Sequence, residues 1–196
     1  MSTFSSFRIP PVVAAIVAAA LQTAVLGYMV ESRASILRSG ADIKLKTLPV
    51  DPRDLLRGDY VILSYPISTI PASIVTGEVP KVNGRERLAV RLKPGADGLW
   101  TATEASFGSL PVQEGSVVLR TLPFDYYSVT DGVLPETLFV SYGLERYYVP
   151  EGEGKVLEEA RNQEELEVEA RVSEDGTPQI ARLILKGEPI YDEPLY

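Results

Sequence analysis

Residues 51–65 read Asp51-Pro52-Arg53-Asp54-Leu55-Leu56-Arg57-Gly58-Asp59-Tyr60-Val61-Ile62-Leu63-Ser64-Tyr65. Pro52 and Gly58 predict a charged turn, because proline fixes one backbone angle and glycine adopts conformations that other residues avoid. The aromatic and branched residues that follow predict a strand, in which successive side chains point to opposite faces. One face is predicted to hold Tyr60, Ile62 and Ser64, and the other Val61, Leu63 and Tyr65.

The turn is dense in ionisable groups, which raises the question of a metal or catalytic site. The carboxylates of Asp51, Asp54 and Asp59 suit a hard cation or an acid and base pair if the loop brings them together. Their spacing does not match a calcium-binding loop. We interpret them as structural: Asp51 caps the turn, and Asp59 accepts backbone amides or pairs with Arg53 or Arg57. No metal or cofactor is predicted.

The end of this stretch carries a family signature. Residues Gly58–Tyr65 match G-D-Y-x-x-L-x-Y at every fixed position, Leu48–Leu55 resembles the lead-in, and Gly143–Gly154 resembles a second block. On these residues the chain resembles the GDYXXLXY-domain family of bacterial membrane-anchored proteins. The resemblance implies an N-terminal anchor and an exported domain with no established activity, whose partner is a multipass membrane protein or another envelope protein. The motif residues, structural or in contact with a partner, are Asp51, Pro52, Arg53, Asp54, Arg57, Gly58, Asp59, Tyr60, Leu63 and Tyr65.

The segment Pro11–Val30 carries no charge and predicts a single transmembrane helix. About twenty apolar residues match the thickness of a bilayer core. A cleaved signal peptide is the rival interpretation, because Arg8 precedes the run and Ala18-Ala19-Ala20 offers a cleavage site. The anchor is favoured, since the run exceeds the usual signal core and continues to Tyr28. The predicted division is an N-terminal segment over 1–38 and one extramembrane domain over 39–196.

The charges that flank the helix leave its orientation open. Arg8 stands alone on the N-terminal side, whereas Arg33, Arg38 and Lys44 follow the helix. A strict positive-inside reading places the large domain in the cytoplasm. We expect the opposite, a single-pass inner-membrane protein with a periplasmic domain, because long domains translocate largely regardless of charge and the family resemblance implies export.

Composition excludes several classes of function. The net charge is −8 and the sequence pI is about 4.7, so binding to nucleic acid would oppose the protein's own field. The chain has neither cysteine nor histidine. This removes thiolate nucleophiles, disulfides, the usual zinc ligands and the commonest general base.

The rest of the chain predicts a mainly β (α+β) domain, a curled antiparallel sheet or a small β-barrel with one short helix. Alternation and turn residues predict hairpins at 87–103 and 166–187. Residues 116–120 and 137–142 are predicted as central strands. The short helix is predicted at 155–161.

A peptidase comparison offers one route to an enzyme. Leu55, Gly58 and Asp59 match the end of S-M-x-P-T-L-x-x-G-D, which resembles signal-peptidase-like enzymes. In that register Val50 occupies the nucleophile position, so the serine of a Ser/Lys dyad is missing. Ser64 lies beyond the motif, and no lysine stands at a recognisable partner position.

A group of aromatic and charged residues predicts a partner surface, since tyrosine and arginine are common at interfaces. Ordinary packing of tyrosines is the alternative, and a glycosidase-like carboxylate pair of Glu145 and Glu151 requires a separation that sequence does not give. We therefore expect a non-enzymatic, exported, anchored domain that contacts another membrane or envelope protein. The alternative is an envelope hydrolase that uses carboxylates or a Ser/Lys pair assembled by the fold. The predicted surface is Tyr142, Glu145, Arg146, Tyr147, Tyr148 and Glu151.

Overall fold

The computed structural model of the chain describes residues 10–50, 60–128, 134–150 and 152–194. Its two α-helices within these ranges are α1 (Pro11–Ser39) and α2 (Gly154–Asn162). Short 3-10 turns occupy Pro66–Ser68 and Ala72–Ile74. The strands are β1 (Ala41–Lys46), β2 (Tyr60–Ile62), β3 (Thr69–Pro71), β4 (Val75–Thr76), β5 (Gly84–Glu86), β6 (Ala89–Pro94), β7 (Trp100–Ser106), β8 (Val117–Arg120), β9 (Phe124–Tyr126), β10 (Thr137–Phe139), β11 (Arg146–Tyr148), β12 (Leu166–Val172), β13 (Pro178–Leu185) and β14 (Glu188–Asp192).

Two four-stranded sheets form the body of the domain. One has the order β1-β12-β13-β14, and the other has the order β4-β7-β6-β8. Three strand pairs complete the fold, β2 with β11, β3 with β10 and β5 with β9. Between the described strands all pairings are antiparallel except that of β4 with β7. The predicted mainly β class is confirmed, and the described strands form no closed barrel.

Several predicted elements form where the sequence pattern placed them. The two hairpins are β6 with β7 and β12 with β13, and the short helix is α2. The prediction of two central strands is wrong: among the described strands, β8 lies at the edge of its sheet and β10 pairs with β3 alone. Whether a strand lies at the edge of a sheet depends on pairing between distant residues, which a local hydrophobic pattern does not reveal.

The strand after the charged turn is built as its alternation predicts. Val61, Leu63 and Tyr65 are fully buried, whereas their alternate neighbours are only half-buried. These three side chains belong to one continuous core that also takes residues from both large sheets, among them Ile43, Leu92 and Leu166. The motif strand therefore lies at the centre of the hydrophobic core, even though its regular pairing covers only Tyr60–Ile62.

Helix α1 is long and apolar enough to span a membrane. Its last turns leave the apolar segment and dock on the domain, where Ala34 and Leu37 are buried. The guanidinium of Arg171, on β12, donates to the Leu37 carbonyl and, at 2.8 Å, to the Asp42 carboxylate. The helix is thereby joined to the sheet by packing and hydrogen bonds.

Gly176 joins the two large sheets. Its carbonyl accepts a hydrogen bond from the Arg120 N–H at 2.8 Å, and its φ is +85°. A Cβ at this position would lie 2.9 Å from the Val118 carbonyl oxygen, closer than real Cβ contacts occur. The turn between β12 and β13 can approach the edge of β8 only because residue 176 is glycine.

Gly176→Ala is expected to lower the free energy of unfolding by about 2–3 kcal/mol, because it adds both a strained φ and a clash with backbone. Gly98→Ala is the matched control, since Gly98 has a φ of +79° and nothing within 4 Å of the added Cβ. It should cost only about 1 kcal/mol. Denaturant unfolding of the full chain in detergent, followed by fluorescence of Trp100, measures both. Equal losses would contradict the close approach of the two sheets.

Candidate functional site

Strands β2 and β11 bring the two family blocks together. In their antiparallel register Tyr60 faces Tyr148, and Val61 faces Tyr147. The Leu63 N–H continues the contact by donating to the Glu145 carbonyl at 2.9 Å. Residues that are distant in sequence thus form one ribbon, and the second block holds the first in place.

Two buried tyrosines fasten this ribbon to the turns around it. The Tyr65 hydroxyl donates to the Leu144 carbonyl, and the Tyr142 hydroxyl donates to the Ile67 carbonyl, both at 2.7 Å. Burial, with the nearby charge of Glu145, raises the pKa of both phenols well above the ordinary value for tyrosine. Both therefore stay neutral donors at physiological pH, which suits a structural role.

Glu145 is engaged by the backbone. Its carboxylate accepts hydrogen bonds from the N–H groups of Tyr142 at 2.6 Å and Gly143 at 2.8 Å. Gly143 has a φ of +87°, so the carboxylate closes a tight turn. A carboxylate held by two amides is a turn-stabilising group rather than a free base. Glu151, its predicted partner in a carboxylate pair, lies outside the described residues.

Arg161, on α2, is the most deeply buried charged side chain of the site, with 1% of its surface exposed. Its guanidinium donates to the carbonyl of Ile62 and, at 3.4 Å, to that of Val50. The Asn162 side-chain oxygen accepts from the same guanidinium at 2.9 Å. Burial lowers the pKa of Arg161 from its ordinary value, against the opposing charge of Glu158. The helix therefore fixes the chain at both sides of residues 51–59.

Sequence reasoning predicted α2 but missed the role of Arg161. The available signal was its spacing: Leu157 and Arg161 are four residues apart and share the buried face of the helix. A long cation on an apolar helix face indicates a buried hydrogen-bonding role when carbonyls lie within its reach.

The motif residues fall into two groups. Tyr60, Leu63 and Tyr65 lie on the ribbon and in the core as described above. The predicted structural or contact roles of the remaining motif residues stay predictions. Those residues, outside the described ranges, are Asp51, Pro52, Arg53, Asp54, Arg57, Gly58 and Asp59.

The predicted partner surface needs a correction, because Tyr142 and Tyr147 are buried. Both rings pack in the core. On β11, alternation turns Tyr147 inward and leaves Tyr148 outward. Tyr148 is 71% exposed. The centroids of the Tyr148 and Tyr60 rings are 5.9 Å apart. The Arg146 guanidinium lies over the Tyr60 ring, with its Cζ 5.7 Å from the ring centroid. We call Tyr60, Arg146 and Tyr148 the ribbon patch.

A metal site was one alternative that the sequence raised. Within these ranges no group of three or more Asp, Glu, His or Cys is placed to hold a metal ion. Ser64, which the peptidase comparison left as a candidate, contributes its carbonyl to a hydrogen bond from the Leu48 N–H at 2.8 Å. The site is a packed and hydrogen-bonded ribbon with an exposed aromatic and cationic face.

Comparisons with known proteins agree with the motif. No curated protein and no solved structure matches the chain. The model of one family, described as GDYXXLXY protein, matches residues 22–183. That range covers most of the chain, including the last part of the apolar helix, the ribbon, the sheet β4-β7-β6-β8 and the other large sheet as far as residue 183 in β13. The chain therefore belongs to the GDYXXLXY family.

Proposed function

We propose that this protein is a non-enzymatic binding domain, anchored in the bacterial inner membrane, that contacts another membrane or envelope protein on the exported side. The observation that carries the proposal is the rigid connection of α1 to the domain. Leu37 is buried against the sheet only seven residues after Val30, the end of the apolar segment. At the rise of an α-helix this is about 10 Å.

A docked helix and a flexible tether suit different tasks. A tether lets a domain rotate and search, whereas a docked helix holds one face of the domain at a constant height and angle above the bilayer. Buried Leu37 and the hydrogen bonds of Arg171 provide this docked connection between α1 and the domain. A domain held in this way is suited to a partner that is itself embedded in the same membrane.

The ribbon patch supports a role in binding. It combines two tyrosine rings with an arginine on a short strand pair that the core holds in place. Tyrosine and arginine contribute much of the binding energy at protein interfaces. Tyrosine buries a large ring at little cost in conformational freedom, and arginine donates several hydrogen bonds in a fixed planar geometry. The patch also continues directly into the signature segment at Tyr60.

We place the domain on the exported side because long domains translocate largely regardless of their charges. Arg33, Arg38 and Lys44 follow the apolar segment and act against this orientation. The family resemblance acts in its favour.

Photocrosslinking tests the proposal. A photoreactive residue in place of Tyr148, in the full chain in native membranes, is expected to crosslink to another membrane protein. The same group in place of Tyr127 is the matched control, because Tyr127 is a 68% exposed tyrosine on another part of the domain. Arg146→Glu should reduce the Tyr148 crosslink about tenfold or more, as expected for loss of an interface arginine.

Two results would contradict the proposal. Crosslinks from position 148 only to other copies of this chain would exclude a different partner. An equal pattern of products from positions 148 and 127 would mean that the contact is nonspecific.

A further inference from the structure

The C-terminal end of α1 lies over β12, in the sheet β1-β12-β13-β14. Gly40 directly follows the helix, and a Cβ added there would sit 3.0 Å from the Arg171 Cβ and from the Val172 backbone nitrogen. One turn earlier the Leu37 carbonyl accepts a hydrogen bond from the Arg171 guanidinium. Ala34, a further turn back, is still covered by the domain. The last turns of the helix therefore pack against the sheet, on β12 and β13.

Arg33 lies beside the other edge of the same sheet. Its charge acts on the carboxylate of Glu193, the residue that directly follows β14. Burial raises the pKa of Glu193, and the Arg33 charge and a hydrogen bond from the Tyr147 hydroxyl oppose that rise. The Glu193 N–H donates to the Ala181 carbonyl of β13 at 2.8 Å, so Glu193 continues the line of β14. Between Gly40 and Arg33 the chain thus passes from β12 to β14.

The lengths show that α1 crosses the strands. Arg33 and Gly40 are seven residues apart, which is a helical rise of about 10 Å. The strands β12 and β14 are two positions apart in the sheet, a separation of about 9–10 Å. A helix that ran along the strands would stay over β12. The axis of α1 is therefore roughly perpendicular to the strands, and β14 is the strand nearest to the apolar segment.

This crossing sets the height of each strand above the bilayer. Arg33 comes three residues after Val30, so β14 lies about 4.5 Å beyond the end of the apolar segment. The headgroup layer on either side of the hydrocarbon core is about 5–8 Å thick. The opposite edge strand, β1, is three positions away in the sheet and lies about 14 Å higher. The strand β14 thus runs along the bilayer surface at the height of the headgroups, and β1 lies beyond them.

The edge strand β14 has one side without a neighbouring strand. Among the described strands it pairs with β13 alone. The N–H groups at a sheet edge need acceptors, and the phosphate oxygens of lipid headgroups are strong ones. Tyr191, on this strand, is of a residue type that is enriched at membrane interfaces. We propose that the outer edge of β14 lies on the bilayer and is covered by phospholipid headgroups.

The charges of the strand favour one type of headgroup. Glu188 and Asp192 are exposed carboxylates at its two ends, and Arg33 lies beside it. Carboxylates repel an anionic headgroup but attract the ammonium of a zwitterionic one, whose phosphate suits Arg33. The proposal rests on the anchoring of α1 in the proposed function and adds lipid as a second contact of the same domain. A headgroup layer over β14 would also shield an edge that is otherwise open to aggregation.

Fluorescence quenching tests the headgroup contact. The chain has no cysteine, so a single introduced cysteine carries the only thiol-reactive fluorophore. The full chain is placed in vesicles of phosphatidylcholine and phosphatidylethanolamine that contain a little lipid with a nitroxide on its headgroup. Glu188→Cys and Asp192→Cys label the two ends of β14. Lys44→Cys is the matched control, because Lys44 is a partly exposed charged residue on β1, at the opposite edge of the same sheet.

We expect severalfold stronger quenching at positions 188 and 192 than at position 44, and similar values at 188 and 192. Asp192 pairs with Arg182 at 2.9 Å, so Trp100 fluorescence is used to check that each labelled variant is folded. If one β14 variant does not fold, the other decides. Leu21→Cys, in the middle of the apolar segment, with a nitroxide on the lipid acyl chains, reports whether α1 is in the bilayer.

Each outcome separates this contact from the proposed function. Strong quenching at position 21 with equal quenching at positions 188 and 44 would overturn the headgroup contact and leave the proposed function standing. No quenching at position 21 would overturn the anchor and both proposals with it. Quenching at 192 but not at 188 would contradict a strand that lies along the bilayer. The vesicles contain no partner protein, so a missing crosslink from position 148 would overturn only the binding role.

Discussion

Arg161→Ala is expected to lower the free energy of unfolding by about 2–4 kcal/mol. The substitution leaves the part-buried carbonyls of Ile62 and Val50 without this donor, and a carbonyl left unsatisfied away from water costs about 1–3 kcal/mol. It also removes a large side chain from a site that is 1% exposed. Denaturant unfolding of the full chain in detergent, followed by Trp100 fluorescence, gives the value.

Two further variants separate the loss of the Arg161 hydrogen bonds from the loss of a positive charge on the helix. Lys155→Ala removes an exposed cation from the same helix and should change stability by less than about 0.5 kcal/mol. Arg161→Lys keeps the charge but not the planar fork that reaches two carbonyls, so it should recover little of the loss. Full recovery by lysine would contradict the hydrogen-bonding role and leave only a role for charge.

Tyr65, the last residue of the family signature, is expected to show the second large effect. Tyr65→Ala should cost about 3–5 kcal/mol, because it empties a fully buried position in the core. Tyr65→Phe keeps the ring and loses only the bond to the Leu144 carbonyl, so it should cost about 1–2 kcal/mol. The same unfolding measurement separates packing from hydrogen bonding.

Tyr127→Phe is the control for the hydroxyl, since Tyr127 is an exposed tyrosine. It should be neutral within about 0.5 kcal/mol. A neutral Tyr65→Phe would show that the Leu144 carbonyl finds another donor, and would contradict the role of Tyr65 as the group that joins the two family blocks.

Local patterns predicted the local elements. The alternation around Val61 and Leu63, the turn at Asp175-Gly176 and the periodicity of α2 each describe contacts between near neighbours, which a sequence displays directly. The pairings of β1 with β12 and of β2 with β11 join distant residues. Their register depends on how the whole core packs, so no short pattern displays it.

The site was harder to predict for the same reason. Alternation indicates that Tyr147 and Tyr148 face opposite ways, but only the pairing with β2 decides which one is buried. The spacing of Leu157 and Arg161 indicates a shared helix face, but it does not identify the carbonyl partners of Arg161, which lie in another part of the chain.

The most direct test is to uncouple the apolar part of α1 from the domain while the domain itself stays unchanged. About eight glycine and serine residues inserted after Ser32 separate the apolar part of α1 from its docked turns, since such a segment is a flexible coil. The same insert after Ala96, in the exposed turn between β6 and β7, is the control. We expect the crosslink from position 148 to the membrane partner to fall severalfold with the first insert and to persist with the second. An unchanged crosslink with the first insert would contradict the proposal that the docked connection of α1 positions this domain for its partner.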